Sequence, residues 1–110
     1  NQAKILILGL SFKENCPDYR NTKVVDIVDE LNTFSCDVSI YDPWIDKNEV
    51  SINFKSLNFI ENPNLSSYET IVLAVSHRSF LEINFKSLIE KNILIYDVKS
   101  FINAEGVEKL

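Results

Sequence analysis

The chain has 110 residues, 45% of them hydrophobic, and a formal net charge of -5. That apolar fraction is ordinary for a folded core and argues against disorder. The acidic balance argues against a general nucleic-acid or membrane-surface role, since both need a basic face, and no apolar run approaches the roughly 20 residues of a membrane span.

The length suits one domain, 1–110, able to fold alone with modest margin. No signal peptide is visible, and the chain starts at Asn1 without any Met, so a fragment of a longer protein is expected. Cys16 and Cys36 have no metal spacing and no partner histidine nearby, which fits reduced thiols in a cytoplasmic protein.

Lys4–Leu8 reads as the first strand, aliphatic on both faces as a central parallel strand should be. Gly9 ends it. A long turn follows, from Leu10 to Thr22, and Asn21 or Thr22 can cap the next helix. Val24, Ile27, Val28 and Leu31 then recur at helical spacing, with Val25 and Phe34 expected to widen the stripe. Lys23, Asp26, Asp29 and Glu30 read as a solvated face. Asp37–Tyr41 is the second strand, closed by Asp42-Pro43 because proline cannot continue a ladder. Residues 46–50 suggest one helical turn and 54–60 a weak strand. Asn62-Pro63-Asn64 is a turn signal.

Residues 70–75 form the clearest later strand, with Ser76-His77-Arg78 at its carboxyl end. Residues 79–90 read as one or two short helical segments, with Phe80, Leu81, Phe85, Leu88 and Ile89 inward. Residues 93–96 are a last buried strand, followed by Asp97-Val98-Lys99-Ser100. Residues 103–110 are expected to start a final helix. Alternation of strands and helices predicts an α/β fold: a three-layer αβα sandwich, Rossmann-like, with a mostly parallel sheet. All strand carboxyl ends then fall on one edge, where such sheets bind ligands.

Lys13, Arg20 and Lys99 all follow strands toward that edge and are candidates for holding one anion. Asp42 ends the second strand, where dinucleotide folds keep an acidic residue for the ribose. The glycine fingerprint is absent, since Gly9 alone stands in the first turn. A self-sufficient dinucleotide site is therefore not expected, and Asp42 reads as a turn or cap residue. His77 reads as a hydrogen-bonded structural group, because no nucleophile pattern accompanies it. Cys16 lacks a base and is not read as a nucleophile. Asp18 is a local partner for Arg20 or a turn cap. Trp44, Tyr41 and Phe54 read as core or interface aromatics.

The run Gly9-Leu10-Ser11-Phe12-Lys13-Glu14-Asn15-Cys16-Pro17-Asp18-Tyr19-Arg20-Asn21-Thr22-Lys23-Val24-Val25-Asp26 resembles the opening of the C-terminal, UDP-binding domain of the UDP-glucose/GDP-mannose dehydrogenase family. Tyr41-Asp42-Pro43, Ala74-Val75-Ser76-His77 with Phe80, and Tyr96-Asp97-Val98-Lys99 match later motifs in order. The first motif is similar to the branch acting on UDP-N-acetylhexosamines in Vi-type and O-antigen polysaccharide synthesis.

The resemblance implies an NAD-dependent, two-step oxidation of a sugar C6 alcohol to a carboxylate, through a thiohemiacetal and a thioester on a cysteine. It implies that Phe12, Lys13 and Lys99 contact the nucleotide sugar and that Arg20 reaches the NAD pyrophosphate. Lys99 stands where many relatives have arginine, so the charge stays and the planar fork is lost. NAD itself is expected mainly on an N-terminal domain, with a central region completing the enzyme and further copies of it as expected partners. The family's catalytic cysteine lies in an upstream motif that does not occur here. The chain alone is expected to be inactive.

Two other classes remain. A phospho-acceptor domain needs an acidic pair after the first strand, where Gly9-Leu10 stands. A non-catalytic assembly module of the same fold would carry its cations as plain surface charge, and UDP would not change its melting temperature.

Overall fold

The computed structural model describes residues 3–11, 23–53, 57–102 and 105–109. Its strands are β1 (Lys4–Leu8), β2 (Asp37–Tyr41), β3 (Thr70–Leu73), β4 (Leu94–Asp97) and β5 (Glu108–Lys109). Its α-helices are α1 (Val24–Thr33), α2 (Lys47–Asn53) and α3 (Phe85–Glu90), with 3₁₀ turns at Leu65–Ser67 and Arg78–Glu82. The strands form one sheet in the order β2-β1-β3-β4-β5, and every pairing among the named strands is parallel.

Alternation along β1 divides the core in two. Ile5 and Ile7 align with Val38 and Ile40 of β2 and pack with Val24 and Val28 of α1 and Val50 of α2. Leu6 and Leu8 align with Ile71 and Leu73 of β3 and pack with Phe85 and Leu88 of α3 and Ile95 of β4. A strand buried on both faces must be apolar at every position, which is why Ile5-Leu6-Ile7-Leu8 reads as an unbroken run. Helices therefore cover both faces, and the expected three-layer α/β arrangement is present.

The chain first steps outward from β1 to β2, then crosses back over β1 to lay down β3. This reversal makes the carboxyl end of β1, between β2 and β3, the topological switch point. Gly9 begins the exit there with φ +110°. A Cβ at this residue would sit 2.6 Å from Val75 Cβ, so glycine is needed for both backbone angle and space. Its amide donates to the Tyr41 carbonyl at 2.8 Å. Beyond β3 the Ala74 amide turns back to the Leu8 carbonyl at 3.0 Å, and the strand stops at Leu73, short of Val75.

Several expectations change. Phe34 is 70% exposed, because α1 ends at Thr33 and the left-handed Ser35 (φ 59°) turns the chain away from the stripe. Leu81 is 53% exposed; its 3₁₀ turn, with three residues per turn, directs Phe80 inward and its neighbour outward. The C-terminal segment contributes the strand β5 beside β4, not a helix, among its described residues. Of the strand expected at 54–60, the described residues 57–60 show one bridge, between Ile40 and Phe59. The helix cap expected at Asn21 or Thr22 lies outside the described residues.

Candidate functional site

The switch-point edge is organised by Asp42. Burial leaves this carboxylate 1% exposed, and an ion so placed needs donors around it. It has four. Oδ2 accepts the amides of Leu10 at 2.8 Å and Ser11 at 2.9 Å, and the Nε2 of His77 at 2.9 Å. Oδ1 accepts the Trp44 amide at 2.8 Å. Burial alone would push the Asp42 pKa up. The bonds from His77 and from the three backbone amides outweigh it and hold the group below its usual value. Next to it, burial raises the Tyr41 phenol, with the Asp42 and Glu61 carboxylates adding to the effect.

His77 is fully buried. Phe80 meets its ring edge-on, centroids 5.4 Å apart, and Trp44 lies at 6.3 Å. A carboxylate oxygen only accepts, so Nε2 carries the proton in its bond to Asp42. The Ser11 hydroxyl lies 2.8 Å from that same nitrogen. Serine, histidine and aspartate thus meet, but not as a nucleophile relay. A relay places serine on one ring nitrogen and carboxylate on the other, with the first nitrogen free to take a proton. Here both sit on Nε2, and Ser11 is 1% exposed. His77 is a hydrogen-bonded member of this cluster, and Asp42 anchors the turn beside Pro43 through the Trp44 amide.

The same geometry bears on Asp42 as a dinucleotide ligand. The position that holds the ribose in dinucleotide folds is turned inward, and its oxygens are already occupied by protein donors. The described residues therefore do not fit an NAD site of their own. Among them there is also no group of three or more His, Cys, Asp or Glu placed to hold a metal, and no helix long and apolar enough to cross a membrane.

A second buried carboxylate, Asp97, shapes the loop after β4. Its Oδ1 accepts the Lys99 amide at 3.1 Å and its Oδ2 the Ile102 amide at 2.5 Å. This tight turn puts Lys99, exposed, on the same carboxyl edge as the switch point. Phe12, Lys13 and Arg20 lie outside the described residues, as do Cys16, Asp18 and Phe54. Of the four expected ligand contacts, the structure therefore locates only Lys99, two strands away from β1 across the sheet. Trp44 is 44% exposed and lines an open depression of about 490 Å³ with Tyr41, Lys47, Asn48 and Glu61. It is a surface aromatic with one face toward His77, not a core residue. Cys36 is a free, half-buried thiol against the α1 side of the core.

A parallel sheet in this order, covered on both faces and with its polar cluster at the switch point, defines a Rossmann-like α/β domain with one ligand-facing edge. The family model described as "UDP-glucose/GDP-mannose dehydrogenase family, UDP binding domain" matches residues 6–104. The chain belongs to that family. A UDP-N-acetyl-D-glucosamine 6-dehydrogenase of Salmonella typhi is 40% identical over 107 residues, covering 94% of this chain and 25% of that protein. One from Pseudomonas aeruginosa is 37% identical over 106 residues, with the same shares covered. The chain thus spans about a quarter of the length of these relatives. A crystal structure of GDP-mannose dehydrogenase from Pseudomonas aeruginosa superposes with a TM-score of 0.77 over 99% of this chain and 28% of that one, at 20% identity. That likeness bears on the fold alone.

Proposed function

We propose that the chain is the UDP-sugar-binding domain of a cytoplasmic, NAD-dependent UDP-sugar 6-dehydrogenase that oxidises a UDP-N-acetylhexosamine to its uronate for surface polysaccharide. The observation that carries this reading is the family match across residues 6–104. The two relatives named above support the choice of sugar. Lys13 and Lys99 supply point charges for the diphosphate, Phe12 packs against the nucleotide sugar, and Arg20 reaches toward an NAD held by another domain. Lysine suits a freely hydrated phosphate oxygen, and arginine suits a bidentate grip on pyrophosphate. The inward-turned Asp42 agrees with this division of labour, since its carboxylate is taken up by protein donors and not open to an NAD ribose. The N-terminal and central domains, and further copies of the enzyme, are the partners.

The test has two arms on the 110-residue chain. UDP at a hundredfold over its Kd stabilises the native state by about 2.7 kcal/mol and raises Tm; Lys13→Ala and Lys99→Ala weaken that response, whereas Lys99→Arg keeps it. Mixed with NAD and a UDP-sugar, the chain forms no NADH. A Tm indifferent to millimolar UDP would instead favour the assembly-module reading, and appearance of NADH would refute inactivity of the chain alone.

A further inference from the structure

Leu10 and Ser11 are buried and immediately precede Phe12 and Lys13 in the chain. Amides at the exit of a central parallel strand ordinarily face water or ligand. These two instead donate to one oxygen of Asp42, at 2.8 and 2.9 Å. That oxygen is held from the opposite side by His77 Nε2 at 2.9 Å. Asp42 stands at the end of β2 and His77 follows β3, so both strands flanking β1 grip its exit. The imidazole cannot easily swing away, because it is fully buried and has Phe80 against its edge. Ser11 Oγ, 2.8 Å from the same nitrogen, closes the cluster.

We propose that Asp42 and His77 are positioning residues. They fix the peptide units of Leu10 and Ser11, so that the chain leaves β1 in one orientation before any ligand arrives. The inference rests on the UDP-binding reading above and adds to it the groups that hold the backbone of Leu10 and Ser11 at the exit of β1. Orientation set in advance lowers the ordering cost of binding. The acidic residue at the ribose position of the fold thereby acts on the protein's own loop and not on a ligand.

The experiment measures UDP affinity of the chain by calorimetry and Tm in parallel. His77→Leu removes the donor and keeps an apolar body, and is expected to weaken UDP binding about tenfold, the scale of one lost orienting hydrogen bond. His77→Gln returns a side-chain N–H near the position of Nε2 and is expected to recover affinity to within about threefold. Leu88→Ala, in the core beneath α3 and outside the Asp42 hydrogen-bond cluster, is expected to lower Tm and leave the Kd of the folded protein unchanged. If His77→Leu does not fold, Ser11→Ala serves: it deletes the hydroxyl that contacts Nε2 and leaves the Ser11 amide in place, and it should weaken UDP about threefold. Wild-type affinity in the folded His77 or Ser11 variant, with UDP still bound by the parent chain, would overturn the positioning role and leave the binding domain standing. Loss of affinity that merely tracks Tm, in Leu88→Ala as much as in His77→Leu, would also overturn it. Absence of UDP binding by the parent chain would overturn both.

Discussion

Asp42 ties the stability of the domain to pH at a single residue. Its folded pKa is depressed by His77 and three amides against the opposing pull of burial. A depressed carboxyl contributes stability above its unfolded pKa, and that contribution is lost as pH falls through the folded value. The window therefore opens at about pH 4 and extends downward. Asp42→Asn places an amide among four donors and cannot accept them all. Near neutral pH it is expected to destabilise the fold by about 3 kcal/mol, from buried donors left unsatisfied. Its deficit relative to wild type should shrink as pH falls from 4 toward 2, because only the wild type has a carboxylate to lose. Thermal melts of both proteins across pH 2–7 read this directly; a constant gap would show that the Asp42 carboxylate is not the titrating contributor.

At the scale of elements, the exit from β1 depends on Gly9. Gly9→Ala is expected to destabilise by about 2 kcal/mol or more, since alanine is strained at positive φ and its Cβ would meet the backbone nitrogen of Val75 at 2.9 Å as well as its side chain. Denaturant melts at constant m would register this as a lower midpoint. Elements like β1 and α1 were legible because their patterns are local: an aliphatic run of strand length, then valines and isoleucines three and four apart. Phe34 and Leu81 misled because each continues an apolar pattern one step past the point where the backbone changes course. The two-residue β5 was not legible, since its pairing with β4 comes from tertiary contact and not from any period in residues 103–110. In the site, Asp42 and His77 were each visible as polar residues at strand ends. Their bond was not, because 35 residues separate them and no sequence rule pairs the ends of β2 and β3. Ser11 was missed as a member of the cluster; its one signal was its place directly after the first strand, at the switch point.

The whole molecule is two cores sharing one sheet. Ile5 and Ile7 belong to one and Leu6 and Leu8 to the other, so β1 cannot leave either core without opening both. The Asp42–His77 bond adds a second tie, from the end of β2 to the segment after β3. Unfolding is therefore expected to be a single cooperative transition. The chain offers a local probe, because Trp44 is its one tryptophan and sits next to His77, just after β2. Leu88→Ala lies in the core beneath α3, at 5% exposure, and should cost about 2–5 kcal/mol as a large-to-small core change. If the two cores are one cooperative unit, this substitution lowers the midpoint seen by Trp44 fluorescence as much as the midpoint seen by far-ultraviolet circular dichroism, although Trp44 follows the edge strand β2 and Leu88 packs with Ile95 of β4. A Trp44 midpoint that stays in place while the dichroism midpoint falls would mean that the β2 half survives loss of the β4 half. The shared strand would then not couple them.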